Sequence, residues 1–248
     1  MRVAVLNDIH GNVPALEAVL TEVRAAGVDR IVVGGDVFPG PLPHVVLERL
    51  LDFGVPVDFI YGNGEVAVLA HLAGKTPMAP ESYRPMIAWN AEQLDDERRE
   101  LVAKWPMTMR VNVPVLGDVL FCHATPRNEN EIFTQRTAED RLIPIFEPTK
   151  AAVVVCGHTH MQFDRTVGRT RVINAGSVGM PFGPAGADWL LLGPDVELRH
   201  TSYDLNAAAE KIRRSGYPGA EEFATKYVLN PPSAAEILEL YSAHELKS

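Results

Sequence analysis

The stretch RVAVLNDIHGN, residues 2–12, decides the fold, because an apolar run passes directly into a polar turn that contains a glycine. Its first five residues predict a β-strand, and Asp8 and His10 follow two positions apart. In extended chain, side chains with this spacing point the same way. Asn12 can then cap a helix whose apolar residues recur at helical spacing until Gly27. The stretch therefore predicts a strand, a loop with two converging polar groups and a covering helix.

The same unit repeats further along the chain. RIVVGG (30–35) predicts a second strand, a helix is expected from about His44 to Phe53, and VPVDFIY (55–61) predicts a third strand. These strands show little alternation of polar and apolar residues and are joined by helices. Such a pattern is typical of a mostly parallel sheet that is covered on both faces, in an α/β fold.

Residues 74–106 interrupt this alternation with a turn-rich segment and one or two helices that end at Pro106. The chain then becomes rich in strands, and VGRT (167–170) is a plausible hairpin connection between two of them. Near the C-terminus, Ser233 and Glu236 have the spacing of a capping box. We expect one domain over residues 1–248, with a helical insertion at 74–106 and C-terminal helices over 204–248.

The composition indicates an ordinary globular protein of 248 residues, 46% hydrophobic and 22% charged. The first residues resemble a strand rather than a secretory signal, and no apolar run approaches the roughly 20 residues that span a bilayer. We therefore expect a cytoplasmic protein without a membrane partner. The formal charge of −9 argues against a stable nucleic-acid partner. Cys122 and Cys156 end apolar runs and are expected to be buried thiols.

The polar residues that stand out follow apolar strands. In a sheet whose strands run the same way, these positions converge on one edge, where open α/β folds place their sites. The motifs are NDIHGN (7–12), GGDVFPGP (34–41), YGNGEV (61–66), CHATP (122–126) and GHTH (157–160).

Histidine, aspartate and asparagine in this arrangement suit two divalent metal ions. Asp8 and Asp36 would contribute two negative charges, and the histidines would bind as neutral imidazoles. The cluster would keep about two positive charges, which attract a phosphate and lower the pKa of bound water. Asn63 is then expected to supply an oxygen ligand that adds no negative charge.

In this ordered set the sequence resembles the calcineurin-like metallophosphoesterases, whose pattern is DxH, GD, GNH(E/D), a lone His and GHxH. INAGSVGMP (173–181) further resembles a segment of the small prokaryotic phosphodiesterase branch. The resemblance runs from residue 1 to about 203. It implies a two-sheet β-sandwich flanked by helices, in four layers α/β/β/α.

The resemblance also implies the ligands of two metal ions. One ion would take Asp8, His10 and His160; the other would take Asn63, His123 and His158, and Asp36 would bridge them. Water or hydroxide between the ions would attack phosphorus in line, which makes Asp36, His123 and Asn63 the expected catalytic residues. Manganese is the metal we expect first, with iron, zinc, nickel or cobalt as alternatives.

One position departs from the family pattern. Gly64 stands where the family has a histidine that is assigned to the leaving group or the phosphate. Members of the small phosphodiesterase branch often lack this histidine, so its loss does not imply inactivity. We expect position 64 to influence which ester is preferred.

The expected substrate is a small phosphorylated molecule, and a phosphodiester, including a cyclic nucleotide, is the first choice. A phosphomonoesterase acting on nucleotides or phosphoproteins and a non-catalytic protein-binding scaffold are the alternatives. Asn12 is expected first as a helix cap and second as a phosphate-binding group, and Arg127 is a candidate for substrate binding. Glu129 and Glu131 are expected to be solvated. Oligomerisation as a homo-oligomer is left open.

Overall fold

The computed structural model describes residues 1–247 and contains two five-stranded β-sheets. The first sheet has the order β10-β9-β1-β2-β3. Strands β1, β2 and β3 pair in parallel. Strand β9 pairs antiparallel with β1, and β10 pairs antiparallel with β9. The strands are β1 (Val3–Leu6), β2 (Arg30–Val33), β3 (Val57–Phe59), β9 (Ala187–Leu192) and β10 (Val196–Thr201).

The second sheet has the order β4-β5-β6-β8-β7, with a parallel centre of β5, β6 and β8 and an antiparallel strand at each edge. The strands are β4 (Thr108–Val113), β5 (Gly117–Cys122), β6 (Val153–Cys156), β7 (Phe163–Val167) and β8 (Thr170–Asn174). The three strands on which the parallel prediction rests do pair parallel, but each sheet as a whole is mixed. Three strand pairs follow each other through short connections, and such hairpins pair antiparallel. The predicted hairpin at VGRT is one of them.

The two sheets pack face to face over a core of aliphatic side chains and one phenylalanine. Val5 and Leu190 contribute from the first sheet, and Phe121, Val155 and Ile173 contribute from the second. In β1 and β6 the residues that point to the opposite face are buried as well. This explains why these strands are continuous apolar runs in the sequence.

Helices cover the outer face of the first sheet. They are α1 (Val13–Ala26), α2 (Pro43–Leu51) and α3 (Asn63–Leu72). Asn12 caps α1 by accepting a hydrogen bond from the Ala15 amide, and Gly27 ends this helix in the left-handed conformation, as predicted.

A further helix, α6 (Glu139–Phe146), covers the second sheet and was not predicted. Leu142 and Phe146 pack against Val154 and Val172 there. Pro144 lies inside this helix, and proline in a helix interior removes a hydrogen-bond donor, so the sequence gives little sign of it. Together the helices and sheets form the predicted four layers.

The insertion contains a short 3₁₀ turn (Glu81–Tyr83) and the helices α4 (Arg84–Glu92) and α5 (Asp96–Val102). The C-terminal part forms α7 (Leu205–Arg213), α8 (Ala220–Glu222), a π-helix (Phe223–Leu229) and α9 (Ala234–Ser242). Their apolar side chains form a separate cluster, against which Met86 and Trp89 of the insertion pack. The insertion and the C-terminal helices therefore contact each other.

The predicted capping box of Ser233 and Glu236 is present at the start of α9. Among residues 1–247, no helix combines the length and the apolar character that crossing a membrane would require. The assignment of the whole chain to one domain stays a prediction.

Candidate metal centre

The predicted metal ligands lie together, because the loops that follow five strands converge. Each ligand comes shortly after the last residue of its strand: Asp8 and His10 after β1, Asp36 after β2, Asn63 after β3, His123 after β5, and His158 and His160 after β6. Their nitrogen and oxygen atoms form two groups whose ligand atoms are within 4.8 Å of one another. The convergence expected from the sequence is therefore observed.

The first group consists of Asp8, His10 and His160, which are all buried. Nε2 of His160 lies 3.3 Å from Oδ1 of Asp8 and 3.3 Å from Nε2 of His10. The ring of Phe182 stacks on that of His160, with centroids 5.1 Å apart. Two imidazole nitrogens and one carboxylate oxygen thus face a common point.

The second group consists of Asp36, His123 and His158. Oδ1 of Asn63 lies 3.0 Å from Nε2 of His123 and so adds an amide oxygen to this group. Asp36 connects the two groups: its Oδ2 atom is 3.6 Å from Nε2 of His10 and 3.5 Å from Nε2 of His123. A single carboxylate oxygen is therefore placed between the two sets of nitrogen atoms.

Backbone carbonyls orient the four histidine rings. The Nδ1 atoms of three rings lie within hydrogen-bonding distance of carbonyl oxygens: His10 of Pro39 (3.0 Å), His123 of Gly34 (2.9 Å) and His160 of Met180 (2.8 Å). His158 is reversed, since its Nε2 lies 3.2 Å from the carbonyl oxygen of Asn130. A carbonyl can only accept, so each ring donates from that nitrogen and presents its other nitrogen, as a lone pair, to the centre.

The chemistry of this donor set fits a cation better than a hydrogen-bonded network. Oδ1 of Asp8 is buried and has no hydrogen-bond partner among the described residues. Nε2 of His10 and Nε2 of His160 face each other, although both rings use Nδ1 as the donor. Lone pairs that converge in a buried site repel one another unless a proton or a metal ion lies between them. Nitrogen and oxygen ligands suit several divalent transition metals.

The carboxylates and histidines shift one another's ionisation. Burial alone would raise the pKa of Asp8, but the surrounding histidines, His160 foremost, lower it to about 2. Burial alone would lower the pKa of His123 and of His160, but the carboxylates outweigh it and raise both. Burial, followed by the charge of His123, lowers the pKa of His158 to about 4, and burial also lowers the pKa of His10.

Five candidate ligand residues have left-handed backbone. The φ angles are 53° at Asp8, 46° at His10, 52° at Asp36, 64° at His158 and 57° at His160. Few residues other than glycine adopt this conformation, and such strain concentrates at functional sites. The conformation turns each loop sharply after its strand, which brings the side chains back over the sheet edge.

Glu65 holds the loop that carries Asp36 and was not identified from the sequence. Its carboxylate is completely buried and accepts hydrogen bonds from four backbone amides, those of Asp36, Val37, Phe38 and Gly62, at 2.7–3.2 Å. Burial, followed by the charge of Asp36, raises the pKa of Glu65 to about 7, whereas the amide donors favour its ionised form. The only sequence signal for this role is an acidic residue directly after the asparagine motif.

Position 64 leaves no space for a side chain. Its amide donates to Oδ1 of Asp36 at 2.7 Å, and a Cβ atom added there would collide with the carbonyl group of Phe38. The absence of a histidine is therefore built into the packing of two loops. The sequence could not show this, because the contact joins residues far apart in the chain.

The two predicted substrate-binding residues lie in different settings. Asn12 is completely buried, caps α1 and donates to the carbonyl oxygen of Gly179 at 2.9 Å, so the structure shows only its capping role. The guanidinium of Arg127 is half exposed and pairs with Glu131 at 2.7 Å. Their role in substrate binding stays a prediction.

The prediction that Glu131 is solvated is wrong. This side chain is 4% exposed and also accepts a hydrogen bond from the hydroxyl group of Thr125 at 2.7 Å. The loop folds back on itself through a bridge between Thr125 and Asn128, which covers the carboxylate.

Comparisons with known proteins agree with this geometry. Residues 1–193 match the model of the calcineurin-like phosphoesterase superfamily domain. An uncharacterized protein of Methanocaldococcus jannaschii is 26% identical over 238 residues, which cover 87% of this chain and 93% of that protein.

Two solved structures share the fold. A hypothetical protein from Pyrococcus horikoshii OT3 has a TM-score of 0.78 at 19% identity, with 94% of this chain and 99% of that chain covered. A metallophosphoesterase from Sphaerobacter thermophilus has a TM-score of 0.70 at 24% identity, with 92% and 98% covered. Because the family match covers most of the chain, this protein belongs to the calcineurin-like phosphoesterase superfamily and is a phosphoester hydrolase.

Proposed function

We propose that this chain is a cytoplasmic phosphodiesterase that uses two divalent metal ions, with manganese as the first choice, and acts on a small phosphorylated molecule. One observation carries the dinuclear assignment. Oδ2 of Asp36 lies almost equally far from Nε2 of His10 and from Nε2 of His123, at 3.6 and 3.5 Å. A carboxylate oxygen in this position suits a bridge between two ions.

Asp8, His10 and His160 would hold one ion, and Asn63, His123 and His158 the other. Bound ions would activate a water molecule and neutralise charge that develops on the phosphoryl oxygens. The chain itself contributes fixed geometry. The carbonyls of Pro39, Gly34, Met180 and Asn130 hold the histidine tautomers, as the hydrogen-bond distances indicate.

The preference for a diester rests on position 64. A glycine there supplies no imidazole to assist a leaving group or to bind a second phosphate charge. Because Phe38 packs against Gly64, the site has no space for a side chain at position 64. We therefore expect a diester with a good leaving group to react faster than a monoester.

The test is hydrolysis of bis(p-nitrophenyl) phosphate and of p-nitrophenyl phosphate by purified protein loaded in turn with Mn²⁺, Fe²⁺, Zn²⁺, Ni²⁺ and Co²⁺. We expect turnover of the diester with Mn²⁺ and its loss in the Asp36→Asn and His123→Ala variants. Exposed His71, changed to alanine, is the matched control and keeps the activity. A higher kcat/KM for the monoester would make the protein a phosphomonoesterase. No turnover with any metal would favour the non-catalytic scaffold.

A further inference from the structure

A cleft of about 260 Å³ opens beside the candidate metal centre. His10 and Met180 are among its lining residues, and both belong to the centre: His10 is a candidate ligand, and the carbonyl of Met180 orients His160. A molecule whose phosphate lies at the metal ligands would therefore extend its organic group into this cleft.

Most of the lining comes from outside the loops that supply the ligands. Tyr83 and Met86 of the insertion line the cleft together with Tyr217, Phe223 and Tyr227 of the C-terminal helices, which we call its C-terminal wall. The family match ends at residue 193, so the C-terminal wall lies outside the matched family domain.

The aromatic residues of the C-terminal wall and Trp89 of the insertion form a continuous series of rings in edge-to-face contact. The ring of Tyr217 is 5.5 Å from that of Trp89 and 6.3 Å from that of Phe223, and the rings of Phe223 and Tyr227 are 5.9 Å apart. The interplanar angles are 72°, 86° and 62° in this order. Edge-to-face contacts of this kind stabilise the arrangement of the rings.

The backbone of this wall is unusual. Phe223 and Tyr227 lie on the seven-residue π-helix, and the amide of Asn230 bonds to the carbonyl of Thr225, five residues earlier, at 3.0 Å. π-Helical turns are rare and occur most often at functional sites.

The chemistry of the lining favours a flat, aromatic group with polar edges over an alkyl chain. Aromatic rings offer faces and edges for stacking, which stabilises nucleobases without regard to their sequence identity. The hydroxyl groups of the tyrosines and the carboxylate of Glu222 lie in the same lining and can bond to the polar edge of a heterocycle. Burial raises the pKa of Tyr217 and of Tyr227, so these phenols stay neutral donors.

We propose that this cleft, which we name the aromatic cleft, binds the heterocyclic base of a nucleotide ester whose phosphate lies at the metal centre, with Tyr83 and Tyr227 as specificity-determining residues. This assignment rests on the proposed phosphoesterase function for the position of the phosphate. It narrows the expected small phosphorylated molecule to a nucleotide and names the residues that would select it.

The test measures binding and does not depend on turnover. Three phosphonates, whose C–P bond resists hydrolysis, are titrated calorimetrically into the manganese-loaded protein: methylphosphonate, hexylphosphonate and the phosphonate analogue of adenosine 5′-phosphate. We expect the adenosine compound to bind about tenfold more tightly than either of the others, since stacking of one base on aromatic side chains has an effect of this size.

Substitutions of Tyr83 and Tyr227 test whether these residues cause the difference in affinity. Tyr83→Leu and Tyr227→Leu should each bring the ratio between the adenosine compound and methylphosphonate close to one, while Tyr83→Phe keeps the ring and most of the ratio. Tyr83 is 43% exposed, so its replacement tests the wall without disturbing a core. Met78 is 77% exposed, belongs to the same insertion and does not line the cleft, which makes Met78→Ala the matched control with an unchanged ratio.

Equal binding of the hexyl and adenosine compounds would overturn the inference, because the cleft would then recognise apolar groups in general. A ratio that neither tyrosine variant changes would overturn it too. Hydrolysis of bis(p-nitrophenyl) phosphate with no preference for the adenosine compound would leave the proposed function standing and remove this inference. A strong preference for the adenosine compound without hydrolysis of any ester would support base binding in the cleft and contradict the proposed phosphodiesterase function.

Discussion

The carbonyl oxygen of Phe38 occupies the space into which a side chain at Gly64 would extend. Phe38 lies on the loop after β2, and Gly64 lies in the first turn of α3. Glu65 ties the two together, because it accepts from the Phe38 amide at 3.2 Å and from the Gly62 amide at 2.7 Å. The space that the family histidine would need is therefore filled by the Phe38 loop. A histidine cannot be restored at position 64 by a single substitution.

Replacement of Gly64 by alanine should destabilise the protein. The added methyl group forces the Phe38 loop to move, and overpacking of this kind costs about 1–3 kcal/mol. Metal content should fall as well, because the Gly64 amide donates to Asp36. Urea denaturation and metal analysis would measure both effects.

The control is Gly74→Ala, where a Cβ atom meets nothing within 4 Å and only the positive φ of 69° is unfavourable. It should cost about 1 kcal/mol and leave metal content unchanged. Equal metal content in the Gly64→Ala protein would contradict the interlocking of the two loops.

Replacement of Glu65 by alanine should lower the free energy of unfolding by at least about 3 kcal/mol, because four buried amides lose their acceptor. Glu65→Gln keeps one acceptor oxygen and should be intermediate. Since Asp36 lies on the released loop, both variants should bind metal more weakly. Chemical denaturation would measure the first effect and calorimetric titration with Mn²⁺ the second; Glu97→Gln, at an exposed position, is the control.

Single histidine substitutions should separate the two metal sites. His10→Ala removes a ligand from one group and His123→Ala from the other, so each variant should keep about half of the wild-type metal content. Asp36→Asn weakens the ligand that the two sites share, so both sites should bind metal ions less tightly. Elemental analysis of protein after gel filtration measures this content. An unchanged metal content in Asp36→Asn would argue against a bridging carboxylate.

Metal binding should release protons, and increasingly so as the pH falls. The carboxylates of Asp36 and Asp8 outweigh burial and raise the pKa of His123 and of His160, so these rings hold protons to a higher pH when no metal is bound. A metal ligand must be neutral imidazole. Apparent affinity should therefore decrease as the pH falls through the range in which these rings gain protons, while the number of protons released rises.

Calorimetry in buffers of different ionisation enthalpy counts these protons. The His123→Ala protein should release fewer of them, and His71→Ala should match the wild type. Affinity that does not vary with pH would show that protons and metal ions do not compete for these nitrogens.

The strands and the ligand loops could be predicted because the apolar runs end directly in polar motifs, all of which except CHATP contain glycine. NDIHGN and GHTH show this well: the short spacing and the glycines determine the local geometry, and the sheet brings the ends together. These features are local in sequence, so periodicity and residue type are sufficient to find them.

Features that depend on contacts between distant residues could not be predicted. The carbonyl oxygens of Gly34 and Met180 orient ligand histidines, yet every residue carries a carbonyl, so no side chain marks these positions. The role of Glu65 is hidden for the same reason, because its partners are backbone amides. The burial of Glu131 depends on how its own loop folds back, which residue type does not reveal. The VGRT segment predicts the antiparallel pairing of β7 with β8, but the other antiparallel pairs could not be predicted, because an apolar strand has the same composition whichever way its neighbour runs.

The left-handed backbone at five ligand positions restricts how this sequence can drift over evolutionary time. Aspartate, asparagine and histidine tolerate that conformation several-fold better than most residues, and glycine tolerates it best, whereas valine, isoleucine and threonine are strongly disfavoured. A descendant that lost its chemistry would therefore accumulate glycine or asparagine at positions 8, 10, 36, 158 and 160 long before it accepted branched side chains. Relatives in which hydrolysis has decayed should carry that residue signature while their strands remain unchanged.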